Sequence, residues 1–205
     1  MRFLRFNASA DFVMDSSSKN QLRALLQKKS VFQGEFTLAS GAKSDFYVDA
    51  RVTPFDPRGA CLIGEIGWAL VKETSAKLNK NVNAIGGLTL GADPIALSIG
   101  IASQRDDSST PLQVFTVRKA IKEHGRQKRI EGNFSAGDSV VVVDDVITTG
   151  GSTIQAIEAI EAANGRVAFV IVLVDREEGG RQNIERLGHV VVAIFTRSDL
   201  ADATR

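Results

Sequence analysis

The sequence predicts an α/β protein built on a parallel sheet flanked by helices. Three observations predict it. Short runs of β-branched residues alternate with segments of helical periodicity along most of the chain. One run, Val140 to Val143, has no polar alternation, as a strand buried on both faces requires. It leads through Asp144 and Asp145 into Val146-Ile147-Thr148-Thr149-Gly150-Gly151-Ser152-Thr153. That is a carboxylate pair and a small-residue turn at a strand end, where open α/β sheets place their ligand crevice.

Each element can be justified in order. Residues 1–19 carry serines and two arginines without an apolar run, and read as a flexible extension; Asp11 and Asp15 speak against a transit peptide. Ser17 to Lys29 sets Leu22, Leu25 and Leu26 at helical spacing. Residues 36–52 read as two strands around Ser40-Gly41-Ala42. Asp56-Pro57 is a cap with proline at the first helical position, opening a helix through Ile63, Ile66, Leu70 and Val71 to about Leu78. Cys61 lies among Leu62, Ile63 and Ile66 and reads as a core thiol. Val82 to Gly86 is a strand, Leu88 to Pro94 its ligand-facing loop, and Pro94 to Ser103 a helix. Leu112 to Val117 is a strand, and 118–132 a long charged loop. Ser152, with Gln155 three residues on, reads as a capping box opening a helix through Ile154, Ile157 and Ile160. Asn164-Gly165 suits a left-handed cap at its end. Val167 to Val174 and Val190 to Phe195 are strands, with a short helix near Asn183 to Leu187 between them.

Bulk properties narrow the function classes. A chain of 205 residues with 43% hydrophobic content can form one core, burying roughly 70% of its unfolded surface. A single domain over 20–205 is expected, with a small hood over about 20–55 and a core over about 56–205. Net charge +1 gives no global field for nucleic acid or a membrane surface. The lone Cys61 excludes an internal disulfide, and two distant histidines exclude a zinc site built on nitrogen and sulfur, so no protein-held metal centre is expected. Nothing approaches 18 consecutive apolar residues, and the expected location is cytoplasmic.

A glycine-rich turn over a helix N-terminus is a phosphate site by geometry and dipole. Here it lacks the lysine of a nucleotide P-loop and the glycine spacing of a dinucleotide fold. Asp144 and Asp145 would repel a phosphate, so they should meet sugar hydroxyls or a metal. The 118–129 stretch gathers Arg118, Lys119, Lys122, Arg126, Lys128, Arg129 and a protonatable His124 against the single acid Glu123. A cationic loop between strands whose ends face a phosphate site is a lid candidate.

The order V-V-V-V-D-D-V-I-T-T-G-G-S-T resembles the phosphoribosyl-pyrophosphate (PRPP) signature of the type I phosphoribosyltransferases. Two further stretches narrow the resemblance to the orotate phosphoribosyltransferases. FTLASGAKSDFYVDAR (36–51) is similar to their amino-terminal hood segment, and VRKAIKEHGRQKRIEG (117–132) to their mobile catalytic loop, matching an R-K-x-x-K-x-H-G core. The resemblance implies a type I phosphoribosyltransferase-like fold and a glycosyltransferase of pyrimidine biosynthesis. Orotate and PRPP would give orotidine 5′-monophosphate and pyrophosphate, with Mg²⁺ carried mainly by substrate oxygens. It also implies a homodimer in which loop 118–132 reaches the partner's site.

By position, the resemblance assigns Lys119, Asp144 and Asp145 to catalysis, with the two aspartates on the ribose. PRPP would also be held by Arg118, Lys122, His124, Val146, Ile147, Thr148, Thr149, Gly150, Gly151 and Ser152. Orotate would meet Thr148 and Arg176, whose guanidinium fork suits a carboxylate; the plainer reading of Arg176 is a surface cation paired with Asp175 or Glu177. Tyr47, the only tyrosine, either walls the base pocket or packs on the hairpin. Two positions depart from the family: Ala39, with Lys43 nearby, and Leu90-Gly91 stand where many members carry lysine. Purine or xanthine phosphoribosyltransferases would share the PRPP loop but not the other two stretches. A nucleic-acid-binding regulator on the same fold would need an added basic module, and net charge +1 leaves none.

Overall fold

The computed structural model describes residues 16–37, 43–120 and 128–201, with side chains for 17–32, 49–120 and 128–201. Helix α1 (Ser16–Lys29) leads into an antiparallel pair, β1 (Val31–Thr37) and β2 (Lys43–Val48). The first strand starts five residues before the expected position 36, and both flank the expected turn, which with Ala39 lies outside the described residues. Helix α2 (Pro57–Leu78) follows, capped as its sequence demands: Asp56 accepts hydrogen bonds from the Arg58 and Gly59 N–H groups, and Asn79 closes the helix at φ 50°. Lys29 Nζ reaches Asp56 Oδ2 at 2.5 Å, so the cap also tethers the end of α1.

The main sheet holds β3 (Ala84–Leu88), β4 (Gln113–Val117), β5 (Ile130–Gly132), β6 (Ser139–Ile147), β7 (Arg166–Asp175) and β8 (Val191–Thr196). Their spatial order is β5-β4-β3-β6-β7-β8. All neighbours run parallel except β4 and β5. Helices α3 (Ala92–Gln104), α4 (Gly151–Ala162), α5 (Gly180–Arg186) and α6 (Arg197–Ala201) complete the chain. The valine run explains the layering. Val141 and Val143 face a core with α1, α2, α3 and α6, whereas Val140 and Val142 face one with α4 and α5.

Strand order reverses at β3: β4 and β5 lie on one side of it and β6, β7 and β8 on the other. Its pairing with β6 ends at Gly86 and Val142, while β6 stays paired with β7 as far as Ile147 and Asp175. Beyond that point a crevice opens at the carboxyl end of the sheet, the place where such folds bind ligands.

Several expectations need correction. The third strand lies two residues later than Val82 to Gly86, because its glycines stay inside the ladder: a Cβ on Gly87 would stand 2.0 Å from the Val143 carbonyl oxygen. The charged 118–132 segment is not all loop. Residues 130–132 return as β5 against β4, and the Arg118 N–H bonds the Arg129 carbonyl at 2.8 Å. The fourth helix begins after Gly150, which takes φ 85°, so Ser152 sits inside its first turn and forms no capping box. Its far end is as expected, with Asn164 at φ 61° and the Gly165 N–H bonding the Ile160 carbonyl at 2.9 Å. Cys61 is exposed, not a core thiol. Like Glu65, one turn on, it lies on the outer face of α2, while Leu62, Ile63 and Ile66 turn inward. The terminal helix α6 was not foreseen.

Candidate functional site

Asp144 and Asp145 lie within β6, not beyond its end, and a strand sends successive side chains to opposite faces. The two side chains therefore leave the strand on different faces, yet their carboxyl groups stay close enough to interact. Asp144 turns towards α4, is only 4% exposed, and accepts the Thr153 hydroxyl on Oδ2 at 2.7 Å. Burial is the main cause that pushes its carboxyl up to about 7; the Thr153 bond opposes the rise, and the neighbouring Asp145 charge adds to it. Asp145 turns towards the 89–91 loop. A Cβ on Gly91 would lie 2.4 Å from Asp145 Oδ1, so only glycine lets that loop approach so closely. Asp145 is half-buried and Asp144 is buried, although Asp144 also lines the cavity over the glycine-rich turn.

Gly91 is one of the two positions where the resemblance leads one to expect a lysine, and in this arrangement the Asp145 contact leaves no room there for a side chain. Beside it, Leu90 is exposed and the Thr89-Leu90 peptide is cis. The loop is anchored by Asp93, which accepts the Thr89 hydroxyl at 2.6 Å and the Thr116 hydroxyl at 2.5 Å. One carboxylate thus ties the loop after β3 to β4.

Thr148, Thr149, Gly150, Gly151 and Ser152 line a cavity of about 290 Å³ with Asp144, Val146, Ile147, Thr153 and Gln155. The N-terminus of α4 opens into it, and no side chain caps that end. Its leading N–H groups and dipole are aimed at whatever fills the cavity, the arrangement that binds a phosphate dianion. Helix α5 backs the turn from behind. Asn183 Nδ2 donates to the Thr149 carbonyl at 2.9 Å, and a Cβ on Gly180 would meet the Thr148 carbonyl oxygen at 2.4 Å.

Arg176 follows β7 directly, and its N–H bonds the Ile147 carbonyl at 3.0 Å, extending the β6–β7 ladder by one step. It is 6% exposed, so the surface reading is excluded. Asp175 instead engages Arg181 Nε at 3.0 Å and the Glu177 N–H at 2.9 Å, and Glu177 accepts the Ser198 hydroxyl at 2.7 Å. The Arg176 side chain meets Glu178 Oε1 through Nη2 at 2.7 Å, and its Nε is buried without a partner.

Of the cations in that loop, Arg118, Lys119, Lys128 and Arg129 are described: Arg118 is half-buried, with Nη1 3.9 Å from Glu131 Oε1, and Lys119 is exposed. Lys122 and His124 lie outside the described residues, as do the side chains of Tyr47 and Lys43. Among the described residues no group of three or more His, Cys, Asp or Glu could hold a metal ion. No helix among them is long and apolar enough to cross a membrane. Sequence reasoning missed Thr153, Asp93, Asn183 and Glu178, and the close approach of Gly91 to Asp145. Each acts through a partner distant in sequence or on a loop whose path was unknown, apart from Glu178, which was passed over for Asp175 and Glu177 as the partner of Arg176.

Comparison with known proteins places this geometry. The family described as phosphoribosyl transferase domain matches residues 84–188. An orotate phosphoribosyltransferase of Aquifex aeolicus is 43% identical over 185 residues, covering 89% of this chain and 97% of that protein. The crystal structure of the Mycobacterium tuberculosis orotate phosphoribosyltransferase in complex with Fe(III) dicitrate superposes with a TM-score of 0.75 at 36% identity, covering 90% of this chain and 99% of that one. The same enzyme in complex with PRPP gives a TM-score of 0.70 at 33% identity, over 89% of this chain and 98% of that one.

Proposed function

Since the chain belongs to the orotate phosphoribosyltransferase family, we propose that its crevice transfers the ribose 5-phosphate group of PRPP to orotate, giving orotidine 5′-monophosphate and pyrophosphate. The observation that carries the reading is one of placement. A phosphate-binding turn and a buried arginine with an open donor stand at the same end of adjacent strands, β6 and β7.

The turn 148–152 holds the 5′-phosphate through the N–H groups leading α4 and the hydroxyls of Thr148, Thr149 and Ser152. Asp145, with Asp144 behind it, holds the ribose hydroxyls. Val146 and Ile147 set the floor of the cradle. As the bond from the anomeric carbon to pyrophosphate breaks and the bond to the pyrimidine nitrogen forms, positive charge grows on the sugar. The Asp145 carboxylate favours that charge, so alignment and electrostatics suffice without a protein nucleophile. Arg118, Lys119, Lys122 and His124 neutralise the departing pyrophosphate, with Lys119 foremost. Thr148 and Arg176 orient orotate.

Mg²⁺ fits this donor set as a substrate-borne ion. The crevice offers Asp145 and hydroxyls rather than a closed cage, and magnesium usually keeps several waters. When bound it supplies charge neutralisation on the pyrophosphate. The hood corresponds to about 20–55, including the β1–β2 pair, and the core to 56–205. A homodimer with loop 118–132 acting in trans is supported by two features. The ribbon of β4 and β5 carries that loop at the edge of the sheet, and Leu90 in the crevice loop, with Leu97 and Ile101 on α3, leaves apolar side chains exposed. Phosphorylated substrates and products do not cross membranes unaided, which favours a cytoplasmic site of action.

The reading is tested by comparing wild type with Arg176→Ala. The variant should lose orotate affinity by at least about thirtyfold while PRPP affinity holds, as loss of a buried charge-assisted contact costs about 2–5 kcal/mol. An orotate KM within about twofold of wild type, roughly 0.4 kcal/mol, removes Arg176 from the base site.

A further inference from the structure

Glu178 stands in an odd relation to Arg176. A guanidinium presents Nε and Nη2 along one side of its fork, two parallel donors that a single carboxylate can bridge. Glu178 takes only half of that pair: its Oε1 lies 2.7 Å from Nη2, and Nε stays buried with no partner. The two side chains also differ in freedom. That of Arg176 is 7% exposed and that of Glu178 is 32% exposed, so the carboxylate can withdraw towards solvent where the arginine cannot follow. Neither neighbouring acid can take its place, because Asp175 is engaged by Arg181 and Glu177 by Ser198.

We propose that Glu178 is an internal stand-in, a counter-ion that occupies Arg176 until the carboxylate of the incoming pyrimidine displaces it. The inference rests on the reading that Arg176 receives that carboxylate. A buried guanidinium left alone would be strongly unfavourable, so the empty site needs a counter-ion. Glu178 supplies one held by a single contact. A ligand carboxylate that bridges Nε and Nη2 replaces that contact and also satisfies the orphaned donor, and this surplus drives the exchange. A pyrimidine without a carboxylate has nothing to exchange and leaves the pair closed. Glu178 thereby keeps the empty site neutral at some cost in affinity for charged substrates.

The test is steady-state kinetics of the full chain with Glu178→Gln, which keeps the length of the side chain and removes its charge. The orotate KM should fall about threefold, the order of resistance that a partly exposed ion pair offers to displacement. The PRPP KM should stay unchanged, and so should weak inhibition by uracil. Glu178→Asp, one methylene shorter, should lower the orotate KM in the same direction and serves if the glutamine variant fails to fold. In the background of Arg176→Ala, which alone should raise the orotate KM, the effect of Glu178→Gln should vanish. If Arg176→Ala raises the orotate KM but the Glu178 variants leave it unchanged or raise it, the stand-in is overturned and the base-site reading survives. If Arg176→Ala has no effect, that reading falls and takes the inference with it.

Discussion

Thr153 gives its hydroxyl to a carboxyl group that hardly touches solvent, and this sets the acid-base behaviour of the cradle. Asp144 keeps its proton in the folded chain from the ordinary 3.8 up to about 7. In that window the unfolded chain has already lost the proton. The folded state therefore binds more protons, and this group's contribution to stability falls as pH rises from about 4 to 7. Asp144→Asn cannot titrate and should lack that slope. Denaturant midpoints measured at pH 5 and pH 8 should differ less in the variant than in wild type; equal differences would show that Asp144 is ionised throughout. The sequence announced the aspartate pair as a site. It could not announce that Asp144 is buried and Asp145 only half-buried, because the valine run marks where β6 is buried and not where its ladder with β7 ends. Thr153 was visible in the same motif, but its bond spans nine positions and needs α4 in place.

At the scale of elements, the loop after β3 and helix α5 brace the two sides of the crevice. Gly91→Ala would push a methyl group into the Asp145 carboxylate, 2.4 Å from Oδ1. Turnover should fall at least about a hundredfold, matching about 3 kcal/mol for a misaligned charged group, in a chain that still folds. Near-normal kcat would show that Asp145 can move without consequence. Asn183→Ala removes the bond that fixes the Thr149 carbonyl. It should raise the PRPP KM about fivefold, the worth of one hydrogen bond near 1 kcal/mol, and spare the orotate KM. Equal rises in both would mean that α5 supports the site only through general stability. The sequence located α5 to within a few residues, as it did most strands and helices, since their apolar periodicity is local. It missed β5, where Ile130-Glu131-Gly132 is too short to carry a period and depends on β4 for its pairing. It misread Cys61 for a related reason: adjacent residues on a helix face different ways, and apolar neighbours do not bury the residue between turns.

At the scale of the whole molecule, a two-fold dimer would let each cationic loop complete its partner's crevice. Lys119→Ala chains keep a sound pocket, and Asp145→Asn chains keep a sound loop. Each homodimer should be nearly inactive. Subunit exchange should restore roughly a quarter of all sites, because about half the dimers are mixed and each holds one intact site. No recovery after proven exchange would mean that the loop serves its own chain. The family was legible because three separated stretches fall in one order along the chain. The base specificity hangs on less, chiefly Arg176 and the pocket around it. The most direct test is therefore product formation by the purified chain with PRPP and Mg²⁺, offering orotate, uracil, hypoxanthine, xanthine and adenine side by side. The account predicts orotidine 5′-monophosphate and stoichiometric pyrophosphate from orotate, and little or no nucleotide from the other four. Preferred use of a purine, or equal use of uracil, would contradict it.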